Sequence, residues 1–218
     1  METKLVSITK PHIEGISNAE ELIVYTARVS NPENQMNMET APRLLAYLIK
    51  HKHWSPFEMV DVTFEIKTSR AIAAQILRHR SFSFQEFSQR YSPVQEMEPV
   101  QLRKAGATNR QSSLEVFDPT LRGVAQASEA IASLNELTNK VYNDLLDAGV
   151  AKECARMILP LTTQTTIYMK GSIRSWIHYL DIRCDEHTQL EHREIELAIR
   201  EELRQHFPNI FSALDVQK

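Results

Sequence analysis

Apolar and polar residues alternate most cleanly between Met59 and Lys67. Val60, Val62, Phe64 and Ile66 fall on one side, and Asp61, Thr63, Glu65 and Lys67 on the other. A period of two with one apolar face predicts a half-buried strand in an antiparallel or mixed sheet. Leu161 to Lys170 is rich in β-branched residues and predicts another strand, as does Lys4 to Thr9, which Pro11 ends. Elsewhere the apolar residues recur at helical spacing. Ser17 and Glu20 form a capping box for a helix carrying Leu22, Ile23, Ala27 and Val29, which stops before Asn31-Pro32. Residues 31–39 read as a loop. Thr40 caps a second helix, with Pro42 in its first turn and Leu44, Leu45 and Leu48 on one side. Thr68 or Ser69 caps a third, built on Ile72, Ala73, Ile76 and Leu77. A long helix is predicted over 121–148, closed by Gly149, and a short one through Cys154 to Arg156, ending at Pro160. Gly171 turns the late strand into a helix with Ile173, Trp176, Ile177 and Leu180 inside. A last helix spans about 186–206 until Pro208 stops it. Residues 93–120 hold prolines and mixed charge and predict a strand fragment and a mobile loop placed to act as a lid. The expected fold is α+β, a single domain over 1–218 with a central mixed or antiparallel sheet flanked by helices.

Composition narrows the class. A chain of 218 residues is long enough to bury a real core, and 42% hydrophobic with 24% charged residues is ordinary for a globular protein. The net charge of -3 draws the chain neither to nucleic acid nor to an anionic membrane, so anion recognition must come from local clusters. No apolar run approaches membrane-spanning length and Met1 to Lys4 opens no signal-peptide pattern, so the expected compartment is the cytosol, with no membrane and no nucleic-acid partner. Five scattered glycines support neither a Rossmann nor a P-loop phosphate site. The two cysteines suggest no disulfide framework. Cys154, in an apolar helical segment, is expected to be a buried and inert thiol, and Cys184 the more exposed of the two.

The densest chemistry lies from Arg78 to Tyr91. Three arginines, a histidine, a glutamate, two amides and three serines surround three phenylalanines there. Buried rings would force these polar groups into fixed places, and arginine forks match phosphate oxygens in pairs. One reading is a pocket for a phosphorylated, hydroxyl-bearing ring such as a nucleotide. The other is a basic turn over a phenylalanine core, and both stand on these residues alone. A third, a non-enzymatic single-strand binder, would use Arg78, Arg80 and Arg90 with stacked Phe82, Phe84 and Phe87. His51 and His53, spaced i, i+2, would suit a metal hydrolase, but no third ligand stands at a recognisable spacing, so no metal is expected.

This segment resembles the signature RHRxxSxNExSxRY of the flavin-dependent thymidylate synthases (ThyX). Arg78, His79, Arg80, Ser83, Glu86, Ser88, Arg90 and Tyr91 match, and Gln85 stands at the Asn position. Similarity continues through 27–30, 51–58, 154–161, 172–175 and 181–183. The resemblance implies reductive methylation of dUMP to dTMP, with methylenetetrahydrofolate as carbon donor and NADPH as reductant through FAD. It implies a homotetramer with active sites at subunit interfaces. Carried over by position, the dUMP residues are Gln75, Ile76, Leu77, Arg78, Glu86, Phe87, Ser88, Gln89, Arg90, Arg156 and Arg183, with Arg183 catalytic. The FAD residues are Ser55, Arg78, His79, Arg80, Glu86, Ser172, Ile173, Arg174 and His178, with His53 beside the flavin or folate. Such an enzyme needs no cysteine nucleophile, which suits the cysteine content.

Overall fold

The computed structural model describes residues 1–93, 96–106 and 113–216. Four strands, β1 (Glu2–Ile8), β2 (Asp61–Ser69), β3 (Ser83–Glu86) and β6 (Gln164–Ser172), form one sheet in the order β1-β2-β6-β3. Each neighbouring pair is antiparallel, which decides between the two sheet types left open by the pattern. Val62, Phe64 and Ile66 are fully buried, as the alternation requires. The other face of the strand is polar and cross-linked: Lys170 pairs with Asp61 at 2.7 Å, and the Tyr168 hydroxyl donates to Glu65 at 2.6 Å.

The covered face packs on α1 (Ala19–Ala27), α2 (Ala41–Lys50), α6 (Ile173–Arg183), α7 (Leu190–His206) and α8 (Pro208–Asp215). Trp176 lies at its centre, fully buried, with its indole N–H on the Val62 carbonyl at 3.2 Å and its ring 5.3 Å from Phe64. Each such ring contributes about 1.5–3 kcal/mol through burial.

The central strands β2 and β6 pair over nine positions, from Asp61↔Ser172 to Ser69↔Gln164. Each runs into a helix through a serine cap. The Ser69 hydroxyl accepts from the Ile72 amide to open α3 (Arg70–Ile76), and the Ser172 hydroxyl accepts from the Ser175 amide to open α6. Nine strand residues span about 30 Å, and helices of seven and eleven residues together span about 27 Å. Two helices that start at opposite ends of the strand pair and fold back along it therefore bring their C-terminal ends together.

Several sequence expectations change. The cap of α1 is Asn18, whose side chain accepts from the Glu21 amide, while Glu21 accepts from the Ser17 amide and hydroxyl. The box thus shifts by one residue, because Glu20 is buried instead, accepting from the Asn209 side chain and the Ile210 amide at the start of α8. Val29 is exposed. Pro208 does end α7, but it also opens α8, where its missing N–H costs nothing. Within the segment from Arg78 to Tyr91, residues 83–86 form a strand, β3, where the sequence pattern alone predicts none. The expected loop over 93–120 contains two short paired strands, β4 (Arg103–Ala105) and β5 (Ser113–Val116), and positions 94–95 and 107–112 lie outside the described residues. The long helix is α4 (Arg122–Asp147), closed by Gly149 at φ 84°. Cys154, on the one-turn helix α5 (Lys152–Ala155), is exposed rather than buried. So short a helix covers one face only, and Ala155 is its buried residue.

Candidate active site

His79 follows the end of α3 and Arg183 closes α6. The Arg183 Nε–H donates to His79 Nε2 at 3.0 Å. Burial, followed by the nearby guanidinium, holds the His79 imidazole down to about 4, so it stays neutral and accepts. Using Nε for this contact orients the guanidinium plane and leaves its terminal N–H pair as the fork that a ligand carbonyl can meet.

Phe82 anchors the segment that carries His79. It is 8% exposed, packed 4.8 Å from Trp176 and 5.3 Å from Tyr179, and its amide donates to the His79 carbonyl at 3.3 Å. A buried Phe82 removes one of the three rings that a single-strand binder would stack. The chain then pairs as β3 with β6, from Ser83↔Lys170 to Glu86↔Ile167, so Ser83 to Glu86 hold a fixed register.

Four of the remaining candidates line two separate hollows. Arg174 and His178, one turn apart on α6, line a cavity of about 640 Å³ with Ser81, Trp54, Lys52 and Glu58. Glu58 accepts from the Ser172 hydroxyl at 2.5 Å and from Arg174 at 2.7 Å, and these bonds, the serine's first, hold its carboxyl below the usual range. Lys52 has φ 56°, a left-handed backbone that a non-glycine residue rarely adopts, and it lies on this cavity. Ser88 and Arg90 line a separate, open hollow of about 400 Å³ with Tyr91, Lys152 and Glu153. There Arg90 pairs with Glu153 at 2.9 Å, and Lys152 donates to the Tyr91 carbonyl at 3.0 Å.

Glu86 lies on β3, its Oε1 accepting from Arg70 at 3.1 Å and from the Thr165 hydroxyl at 3.0 Å. Gln75 accepts from His192 and donates to Gln189. Arg78, Arg80, Leu77, Ser55 and His53 are exposed, Phe87 and Arg156 are half-buried, and Gln89 is buried with its amide nitrogen unpaired. The Ile76 and Ile173 side chains belong to the core. His51 packs tilted and His53 edge-on against Tyr47, and among the described residues no three His, Cys, Asp or Glu side chains gather as a metal site. Sequence reasoning missed Arg70, Glu58, Tyr179, His192 and Glu196. For the last pair the i, i+4 spacing on α7 was the available signal.

The sequence model of the family described as thymidylate synthase complementing protein matches residues 12–209. A "Flavin-dependent thymidylate synthase" of Synechocystis sp. is 52% identical over 219 residues, covering 99% of this chain and 100% of that one. The chain belongs to the flavin-dependent thymidylate synthase family. A "Probable flavin-dependent thymidylate synthase" of Paramecium bursaria Chlorella virus 1 is 53% identical, with 99% of each chain covered. The fold superposes on the crystal structure of a UMP/dUMP methylase, PolB, from Streptomyces cacaoi, bound with 5-Br dUMP. The TM-score is 0.83 at 25% identity, over 99% of this chain and 94% of that one. Within a flavin-dependent thymidylate synthase, the His79–Arg183 contact joins the signature segment to a residue about a hundred positions away. The signature segment is thus held against α6.

Proposed function

We propose that this flavin-dependent thymidylate synthase methylates dUMP in the cytosol, taking the methylene of methylenetetrahydrofolate and a hydride from NADPH by way of FAD. In balanced form, dUMP, methylenetetrahydrofolate, NADPH and a proton give dTMP, tetrahydrofolate and NADP⁺. The observation that carries the reading is the meeting of neutral His79 with Arg183 at two converging helix ends. A guanidinium held at the pyrimidine favours the ionised ring, which pushes electron density to C5 for attack on the methylene carbon. On this reading neither thiol is needed: Cys154 is exposed on α5, and Cys184 is half-buried against the apolar core.

The donor set suits FAD. Arg174 and Lys52 offer cations and His178 a ring N–H for a pyrophosphate beside Trp54, Ile177 and Phe211, which offer an apolar wall. Arg78, Arg80 and Ser55 approach it from neighbouring chains. Bound FAD supplies the hydride relay. Ser88, Arg90 and Arg156 take the dUMP phosphate. Arg174 and His178 line one hollow and Ser88 and Arg90 another within one chain, which supports a homotetramer whose sites lie between subunits. The exposed helix α4 supports it too: of its 26 residues Tyr142 is buried, while Leu134 and Leu137 are 59% and 57% exposed.

Anaerobic absorbance spectroscopy tests the proposal. Purified protein is expected to be yellow and to bleach on NADPH faster with dUMP present. A colourless protein that takes up no FAD would overturn it.

A further inference from the structure

Beneath the His79–Arg183 contact begins a line of polar side chains that runs from buried Tyr179, His192 and Glu196 through half-buried Gln75 to exposed Gln189. The Tyr179 ring meets His79 edge-on at 4.5 Å. Its hydroxyl contacts Glu196 Oε1 at 2.6 Å and His192 Nε2 at 2.8 Å. Both His192 and Glu196 have 0% exposure. His192 Nδ1 reaches Gln75 Oε1 at 3.3 Å, Gln75 Nε2 reaches Gln189 Oε1 at 2.7 Å, and Gln189 Nε2 reaches Glu191 Oε2 at 3.0 Å. Glu191 is paired with Arg103 at 2.6 Å. Tyr179, His192 and Glu196 are costly to bury, and their mutual hydrogen bonds offset that cost, although Glu196 Oε2 has no partner.

The outer end fixes the direction of the line. Glu191, whose burial works to raise it but which its own amide and Arg103 hold below the usual carboxylate range, can only accept. Gln189 must turn its nitrogen to Glu191 and its oxygen to Gln75. Gln75 must then turn its nitrogen to Gln189 and its oxygen to His192, so Nδ1 of His192 carries a proton. At the inner end two arrangements satisfy this. In one, the imidazolium Nε2–H donates to Tyr179, whose O–H donates to the Glu196 carboxylate. In the other, the Nε2 proton has passed to Tyr179 and the tyrosine proton to Glu196, leaving a neutral imidazole and a carboxylic acid. Burial pushes the Glu196 carboxyl upward, toward the second form. Nδ1–H on Gln75 is common to both.

We propose that His192, backed by Tyr179 and Glu196, is a positioning residue for the nucleotide: it locks the Gln75 amide with its oxygen inward and its nitrogen toward the site. One N–H of that nitrogen serves Gln189, and the other is a donor that selects an acceptor oxygen on dUMP. The inference rests on the reading of Gln75 as a dUMP contact.

The test compares two variants of similar size. Asparagine carries its amide nitrogen near Nδ1 of the histidine it replaces, so His192→Asn keeps the donor to Gln75 and loses the Tyr179 contact. Glutamine carries its amide near Nε2, so His192→Gln does the reverse. Calorimetric titration of dUMP into the flavin-loaded protein is expected to show about tenfold weaker binding for His192→Gln, matching Gln75→Ala, and at most about threefold for His192→Asn. KM for dUMP should follow, with kcat at saturating dUMP changed less than about threefold. Equal losses in the two His192 variants, or wild-type affinity in His192→Gln, overturn the proposal while leaving Gln75 as a contact. Wild-type affinity in Gln75→Ala overturns the contact reading itself, and the proposal with it. Should either His192 variant not fold, Glu196→Gln takes its place. Its amide can donate to Tyr179, which then donates to Nε2, so affinity within about threefold is expected and a tenfold loss overturns the proposal.

Discussion

Gly171 and Phe82 make the sharpest steric prediction. A Cβ placed on Gly171 would lie 2.5 Å from Cδ1 and 2.6 Å from Cε1 of Phe82. Ordinary carbon contacts are about 3.5–4.0 Å, so the ring must retreat by roughly 1 Å. It has little room, with Trp176 at 4.8 Å and Tyr179 at 5.3 Å on its other sides. Overpacking of this kind costs about 1–3 kcal/mol. In a chain of this length Gly171→Ala should lower the thermal midpoint by about 2–12 °C. Function should suffer as well, because the Phe82 amide is bonded to the His79 carbonyl and a displaced ring pulls the Arg183 acceptor with it. Scanning fluorimetry and dUMP titration on the same preparation read both effects. Adding Phe82→Leu makes room, so the double variant should be more stable than the two single losses sum to, by about 0.5 kcal/mol or more. A Gly171→Ala protein with wild-type midpoint and wild-type dUMP affinity would refute the packing argument and the link from Phe82 to the site.

Arg183→Ala should lower kcat/KM for dUMP by at least about tenfold and up to about 150-fold, the worth of a charge-assisted contact, with the fold intact; wild-type turnover would remove Arg183 from the mechanism. His79 should show no NMR protonation step between pH 7 and 5, since its folded value is about 4. The unfolded chain protonates it near 6.5, so its contribution to stability is whole above that pH and is lost as pH falls toward 4. A His79 midpoint near 6.5 in the folded protein would contradict the buried contact, and Arg183→Ala should raise the midpoint. Glu20→Ala should cost about 1–3 kcal/mol and expose the Ile210 amide to hydrogen exchange, because that carboxylate tethers the start of α8.

What the sequence made legible was whatever depends on local pattern. The alternation at 59–67 gives β2 because one face of that strand meets Trp176 and the helices while the other meets water. Ser69 and Gly149 do locally what their residue types suggest. What it hid depends on distant partners. Glu20 fits a capping box on paper, but a buried start of α8 claims it from almost two hundred residues away. His192 and Glu196 read as part of a charged helix, and only the docking of α6 on α7 turns them inward against Tyr179. The signature segment named its family through residue identity, yet the acceptor for Arg183 emerges only when two helices fold back along one strand pair. Cys154 misled because apolar neighbours do not bury a residue on a helix of a single turn.

The central claim is that a guanidinium and a bound flavin replace a sulfur nucleophile in methylating the uracil ring. The most direct measurement is dTMP formation by the Cys154→Ala/Cys184→Ala double variant, supplied with dUMP, methylenetetrahydrofolate and NADPH and followed by chromatography of the nucleotides. Turnover close to wild type is the predicted result. A folded, flavin-loaded double variant that makes no dTMP would contradict the claim.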